Sequence, residues 1–305
     1  MDDLNFAGRV AIVTGAGGGL GREYACLLAA RRAQVVVNDL GVTLDGHGGT
    51  DTTARAVVAE IEARGGTAVA DTNSVATAEG GAALVQTALD AFGRVDIVVN
   101  NAGILRDQMF HKLSADLLDP VLDVHLRGAF HVTGPAWRVM REQGYGRVVN
   151  TCSTSGLFGN LGQANYAAAK TGLIGLTRVL ALEGARYGIK ANIIVPGAAT
   201  RMTPAGVVDD PDRLRPELVA PVVAWLVHEQ CPVSGEMFRA AGGRVSRCFI
   251  AMTEGYENPA LSPEDVRDAF AQIMDTTDFA IPGQAVPVPV PVPVPDYTVE
   301  NLYNV

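Results

Sequence analysis

The stretch Arg9-Val10-Ala11-Ile12-Val13-Thr14-Gly15-Ala16-Gly17-Gly18-Gly19-Leu20-Gly21 decides how the rest of the chain is read. Its β-branched run suits a strand buried on both faces, as in a parallel sheet. The glycines after Thr14 supply a tight turn, and Leu20 to Arg31 follows with helical period. A strand that enters a helix this way leaves the first helical amides facing an anion, and a pyrophosphate fits there. A purely structural strand-to-helix turn accounts equally well for these glycines taken alone.

Outward from this unit the same alternation continues. Strand-like runs lie at Gln34 to Asn38, Thr67 to Ala70, Val95 to Asn100, Arg147 to Thr151 and Lys190 to Val195. Between them come helical stretches at Thr52 to Arg64, Thr77 to Phe92, Ala115 to Arg141 and Ala164 to Tyr187. Repeated βα units predict an α/β fold, a doubly wound parallel sheet with helices on both faces, closed by a short last strand near Glu236 to Ala240. We place the nucleotide-binding and catalytic domain over residues 1–245 and a C-terminal extension over 246–305. The extension should hold a short helix from Ser262 to Met274, with Ser262 capping and Pro263 in the first turn. Its Val-Pro repeats, Val286 to Pro295, should lie in extended polyproline II, as a spacer or an arm against a neighbouring subunit, or else as a proline-motif ligand. Thr200 to Pro216 lacks periodicity and reads as a loop folded over a ligand.

Composition narrows the function. With 305 residues, 48% of them hydrophobic, the chain can bury a sizeable core. Its 24 Lys+Arg against 33 Asp+Glu argue against nucleic-acid or acidic-lipid binding over a broad cationic face. Cys26, Cys152, Cys231 and Cys248 form no CxxC pair, so reduced thiols are expected. The histidines are dispersed and no acidic cluster is evident, so no metal is expected. The polar N-terminus and the lack of a membrane-length apolar run point to a soluble cytoplasmic protein. Tyr303, Asn304 and Val305 do not form a Ser-Lys-Leu peroxisomal address.

The second strand run ends in Asp39, 18 residues beyond Gly21, where a carboxylate would accept from the adenosine ribose hydroxyls. A carboxylate there repels a 2′-phosphate, which favours NAD over NADP. Asn73, Ser74 and Val75 are placed for adenine contacts. Asn100, Asn101, Ala102 and Gly103 can pin neighbouring strands and let a cofactor approach the backbone. Ser153 precedes Tyr166 by 13 residues, and Lys170 follows four residues later on the same helical face. A free phenol titrates near ~10, so ionisation near ~7 needs about 4 kcal/mol of preferential phenolate stabilisation. Lys170 together with an oxidised nicotinamide could supply it. Ser153 can donate to the alcohol or carbonyl oxygen while Tyr166 takes the alcohol proton. A core tyrosine beside a surface lysine is the bland alternative. Trp137 and Trp225 read as packing, and Cys152 should face the core if Ser153 faces the cleft.

Taken together, Thr14 to Gly21, Asp39, Asn100 to Gly103, Ser153, Tyr166-Ala167-Ala168-Ala169-Lys170 and Pro196-Gly197 resemble the short-chain dehydrogenase/reductase family in its one-domain Rossmann form. Gly19 to Tyr24, Val36 to Gly41, Asn101 to Asp107, Val124 to Gly128 and Gly162 to Tyr166 are similar to the (3R)-hydroxyacyl-CoA dehydrogenase domains of peroxisomal multifunctional enzymes, also called 17β-hydroxysteroid dehydrogenase type four. This likeness runs from about Phe6 to about Met274. It implies Ser153, Tyr166 and Lys170 as catalytic residues. As cofactor-binding residues it implies Gly15, Gly19, Leu20, Gly21, Asp39, Asn73, Ser74, Val75, Asn101, Ala102, Gly103, Tyr166, Lys170, Pro196 and Gly197. It further implies NAD, an acyl-CoA or steroid-like secondary alcohol, and a homodimer or homotetramer. Oxidation of a steroid ring hydroxyl is the alternative within this class, and an NAD-sensing scaffold the alternative outside it. Many members carry Asn where His125 stands; His125 either shares that role or is simply a hydrogen-bonded helix residue.

Overall fold

Short Val- and Ile-rich runs become strands because both of their faces can be covered. β1 (Val10–Thr14) buries all five of its residues, and its successive side chains serve opposite faces of the sheet. Val10 and Ile12 join one core, Ala11 and Val13 the other. The order continues through α1 (Gly19–Ala30), β2 (Gln34–Asn38), α2 (Thr52–Ala63), β3 (Thr67–Asp71), α3 (Ala78–Phe92) and β4 (Ile97–Asn100). Then come α4 (Ala115–Leu122), α5 (Gly128–Gln143), β5 (Gly146–Thr151), α6 (Thr154–Phe158), α7 (Ala164–Gly184) and β6 (Ile189–Gly197). The larger unit ends with α8 (Ala220–Val227), β7 (Met237–Ala241) and β8 (Arg244–Cys248). The computed structural model describes residues 4–203 and 211–281.

The sheet order is β3-β2-β1-β4-β5-β6-β7-β8. The first seven strands are parallel, as expected. Residues of α1, α2 and α8 fill the core on one face, those of α3 and α5 the core on the other. Each fully buried Leu or Ile, such as Leu84 or Ile12, contributes roughly 1.5–3 kcal/mol relative to exposure. Because β1 lies between β2 and β4, the chain runs outward in both directions from that pair. Their diverging C-terminal loops leave a crevice.

Three departures from the sequence expectation have physical causes. β7 does not close the sheet, because β8 pairs antiparallel along its outer edge. Gly242 and Gly243, with φ of +58° and +76°, make the two-residue turn that such a hairpin favours. Ala115 to Arg141 is not one helix. A wide π-helical turn at Asp123–Arg127 separates α4 from α5 and carries the buried His125. A short helix, α6, was not foreseen; Ser153 caps it, its side chain accepting from the Ser155 amide.

The chain divides after Phe249, just past the end of β8. In the smaller unit Met252–Thr253 pairs antiparallel with Phe279–Ala280. The expected Ser262 helix appears as Pro263–Asp268, closed by a reciprocal Ser262–Asp265 capping box, with a second short helix at Phe270–Ile273. The Val286 to Pro295 repeats, Tyr303 to Val305 and the middle of the Thr200 to Pro216 loop lie outside the described residues.

A buried polar chain sets the position of α7 against the sheet. Asn100 Nδ2 donates to Asn150 Oδ1 at 2.8 Å and to the Thr133 hydroxyl at 2.9 Å. Asn150 Nδ2 in turn donates to Thr177 of α7 at 2.9 Å. Asn150→Ala leaves buried polar atoms short of partners, and we expect it to lower the unfolding free energy by about 2–3 kcal/mol, measured by urea denaturation.

Candidate active site

A cleft of about 310 Å³ opens at the C-terminal ends of β1, β2 and β4. Its floor is the glycine turn. A Cβ on Gly15, which has φ of +63°, would come 2.7 Å from the Ala102 Cα, and one on Gly21 would come 2.2 Å from the Gly15 carbonyl. Gly15 and Gly21 therefore admit no side chain, and the close approach this allows brings the backbone to the cleft surface.

Asp39 stands at the end of β2, buried and facing the turn. One carboxylate oxygen accepts from the Gly17 amide at 2.8 Å, the other from the Gly41 amide at 2.7 Å and the Thr53 hydroxyl at 3.4 Å. Each oxygen has two lone pairs, so capacity to accept from a ligand hydroxyl is kept. Next to it Asn38 Nδ2 donates to Asp71 at 2.7 Å and to the Asn73 carbonyl at 2.9 Å, fixing the 73–75 turn. Across the cleft Asn101 Nδ2 donates to the Thr14 and Gly15 carbonyls at 3.0 and 3.2 Å.

Of the residues expected to hold a cofactor, Gly15, Gly19, Leu20, Asp39, Asn73, Ser74, Val75, Asn101, Ala102 and Gly103 line this cleft. Gly21 lies beneath it, and Pro196 and Gly197 sit at the end of β6, paired with Ala240 and Ala241. Tyr166 and Lys170 are not part of its lining. Lys170 borders a much smaller cavity shared with Thr14, Ala102 and His125.

Ser153, Tyr166 and Lys170 come together at the ends of β5 and α7. Lys170 is buried, and its ammonium donates to the Thr151 carbonyl at 2.6 Å and lies 5.5 Å from the Tyr166 ring centre. Burial pushes Lys170 down to about 8. Gly156 lets α6 reach α7 here, since a Cβ would meet the Lys170 Cβ at 2.7 Å. Cys152 points away from the cleft into the core, as expected.

Two opposing influences act on Tyr166. Burial pushes its phenol up to about 12, and a hydrogen bond with Ser153 pulls the other way. Acidification is expected from Lys170 and an oxidised nicotinamide acting together, and Lys170 by itself does not lower the phenol, its short contact being with the Thr151 carbonyl. His125 is a hydrogen-bonded helix residue. Its Nε2 lies 2.8 Å from the Ile104 carbonyl and 3.1 Å from the Ile104 amide, and its ring meets Tyr166 edge-on at 5.0 Å. Burial holds it well below the usual imidazole value, so it is neutral near pH 7. Nδ1 is buried without a partner.

The sequence reading missed the wall formed by Leu40, Val42, Leu44 and Gly46, and by Arg106. The first four lie in an aperiodic, Gly-rich stretch between β2 and α2, and Arg106 lies in the Asn101 to Asp107 segment after β4. Among the described residues no group of three His, Cys, Asp or Glu could hold a metal, and no helix is long and apolar enough to cross a membrane.

Residues 9–207 match the short chain dehydrogenase family. The chain is 53% identical over 281 residues to a short-chain type dehydrogenase/reductase of Mycobacterium tuberculosis, covering 90% of this chain and 97% of that protein. It is 40% identical over 258 residues to a hydroxyacyl-CoA dehydrogenase of the same organism, covering 79% and 80%. The structure of full-length peroxisomal multifunctional enzyme type 2 from Drosophila melanogaster superposes with a TM-score of 0.78 at 41% identity. That match covers 92% of this chain and 48% of the multifunctional enzyme, so the chain spans about half of that relative. The chain belongs to the short-chain dehydrogenase/reductase family and is an oxidoreductase, and nicotinamide dinucleotides are the general cofactors of that family.

The lysine makes a testable contribution to stability. Its folded-state value lies below that of the free side chain, so the unfolded chain holds the extra proton between about 8 and 10.5. The penalty for burying the cation is full below pH 8 and is relieved as pH rises. We expect the stability of the wild type relative to Lys170→Met to rise by about 2–3 kcal/mol from pH 7 to pH 10.5 in urea titrations. A pH-independent difference would contradict the assignment.

Proposed function

We propose that this chain is an NAD-dependent dehydrogenase that oxidises the secondary alcohol of a (3R)-hydroxyacyl-CoA to a ketone. The observation that carries the reading is the meeting of Ser153, Tyr166 and Lys170 beside a cleft whose far wall holds the glycine turn and Asp39. The acyl-CoA class is supported by the relatives, which include a hydroxyacyl-CoA dehydrogenase and a multifunctional enzyme.

The residues fit a dinucleotide. The glycine turn forms a cradle in which a Cβ on Gly15, Gly17 or Gly21 would clash, and helix α1 begins at that turn with no side chain capping its amides, which suits a pyrophosphate. Gly15, Gly19 and Leu20 would hold the phosphates, with Gly21 packed beneath them. Asp39 would hold the adenosine ribose, and its negative charge favours NAD over NADP. Asn73, Ser74 and Val75 would border the adenine. Asn101, Ala102, Gly103, Pro196 and Gly197 would flank the nicotinamide half, and Lys170 and Tyr166 would reach its ribose. When bound, the oxidised nicotinamide supplies the hydride acceptor and a positive charge.

In the reaction, Ser153 donates a hydrogen bond to the alcohol oxygen and fixes the carbinol carbon. Tyr166 accepts the hydroxyl proton as the carbon–hydrogen bond is cleaved. Lys170 keeps a positive charge near the phenolate oxygen, which lowers the cost of forming it. Phe130, Val179 and Leu182, apolar yet exposed on α5 and α7, support a homodimer or homotetramer. The free thiols of all four cysteines support a reducing compartment, for which we take the cytoplasm.

Reduced-nicotinamide absorbance, followed with (3R)-hydroxyacyl-CoA or free steroid alcohols and with NAD or NADP, tests the assignment. We expect turnover with the acyl-CoA and NAD. Tyr166→Phe should keep NAD affinity within about twofold and lose roughly 10²–10⁴ in turnover. NAD binding without hydride transfer to any secondary alcohol would instead favour a non-catalytic sensor.

A further inference from the structure

The stretch between β2 and α2, residues 40–51, crosses one wall of the cleft, and the proposed chemistry makes no use of it. Val42, Leu44 and Gly46 face the cleft from this loop. Among the bonds that hold the loop from outside, three reach its carbonyls from residues beyond β4. The Leu105 amide donates to the Leu44 carbonyl at 3.0 Å. Arg106 Nε donates to the Asp45 carbonyl at 2.9 Å. Arg201 Nη1 reaches the Val42 carbonyl at 3.4 Å.

Arg106 differs from Arg201 in what else it touches. Its Nη1 donates to the Asp116 carbonyl of α4 at 2.7 Å, so one guanidinium ties the loop to a helix. Its own carbonyl accepts from Asn165 Nδ2 at 2.8 Å. That same amide group donates to the Leu117 carbonyl at 2.8 Å, and Asn165 Oδ1 accepts from the Tyr166 amide at 2.8 Å. Asn165 is buried, so these bonds are shielded from water. A continuous set of contacts therefore runs from the loop through Arg106 and Asn165 to the backbone of Tyr166.

We propose that Arg106 is a positioning residue that couples closure of the 40–51 loop over the dinucleotide to the placement of Tyr166. The inference rests on the dinucleotide reading of this cleft. The planar guanidinium donates along two directions at once, to Asp45 and Asp116, and an ammonium cannot copy that geometry from the same stem. Lifting the loop to admit or release the dinucleotide breaks the Asp45 contact and frees the guanidinium. Closing it restores the contact and steadies the 105–107 backbone on which Asn165 rests.

Arg106→Ala, Arg106→Lys and Arg201→Ala, each compared with the wild type, test the coupling. The readouts are stopped-flow release of NADH, equilibrium NADH binding, melting temperature, and kcat at saturating NAD. Both alanine variants should release NADH faster, by about tenfold for Arg106→Ala. Only Arg106→Ala should also lower kcat, by about tenfold. Arg106→Lys should recover less than half of either loss, and melting temperatures should stay within about 2 °C because the side chain is partly exposed. Wild-type release from Arg106→Ala, or equal kcat values in the two alanine variants, would overturn the coupling. Failure of the wild-type protein to bind NADH would overturn the reading of the cleft itself.

Discussion

A buried cation with a backbone carbonyl as its short-range partner is the constraint on which the site depends. The Lys170 ammonium sits 2.6 Å from the Thr151 carbonyl, and burial holds it down to about 8. That cost is tolerable only because α7 is fixed elsewhere, by Asn150 bonded to Thr177 and by the close approach of α6 at Gly156. The ammonium also lies 5.5 Å from the centre of the Tyr166 ring. Burial, opposed by the hydrogen bond with Ser153, leaves Tyr166 raised to about 12. That value holds with Lys170 in place, so the lysine alone does not make the phenol acidic. Under the proposed function, the positive charge of an oxidised nicotinamide in the cleft would add to that of Lys170 and favour ionisation.

The sheet places these groups economically. Strand order reverses between β1 and β4, so the loops after β1, β2 and β4 line the cleft while Ser153, after β5, stands beside it. The loops after β1 and β4 are stitched by short polar contacts rather than by packing. Thr14 Oγ1 accepts from the Asn101 and Ala102 amides at 2.9 and 3.0 Å, and Asn101 returns to the Thr14 and Gly15 carbonyls. Small side chains at Gly15, Ala102 and Gly103 are what allow this approach. A Cβ on Gly103 would come 2.4 Å from the His125 ring.

The parallel sheet, the glycine turn and Asp39 were legible in the sequence because each depends on local pattern: uninterrupted β-branched runs, residues without side chains, and a carboxylate directly after a strand. The pairing of Ser153 with Tyr166 and Lys170 was legible through helical spacing and family likeness. The π-helical turn at Asp123–Arg127 was not, because the Ala115 to Arg141 stretch keeps an apolar period across it. Only the tertiary contact of His125 with Ile104 reveals the break. The hairpin of β8 was written in Gly242-Gly243, but Arg244 to Cys248 lacks the continuous apolar run of an inner strand because it lies at the sheet edge. The role of Arg106 depends on carbonyls at Asp45 and Asp116, and backbone acceptors leave no trace in residue identity. The upward shift of Tyr166 depends on the depth of its burial, which spacing cannot report.

The central claim is that Tyr166 becomes acidic through two positive charges acting together. The direct measurement is ultraviolet titration of the tyrosinate band, wild type minus Tyr166→Phe, with and without oxidised NAD. Without the dinucleotide Tyr166 should ionise only above the ordinary phenol range, and with it the transition should move toward neutrality. A Tyr166 transition that stays in place when NAD is bound would contradict it.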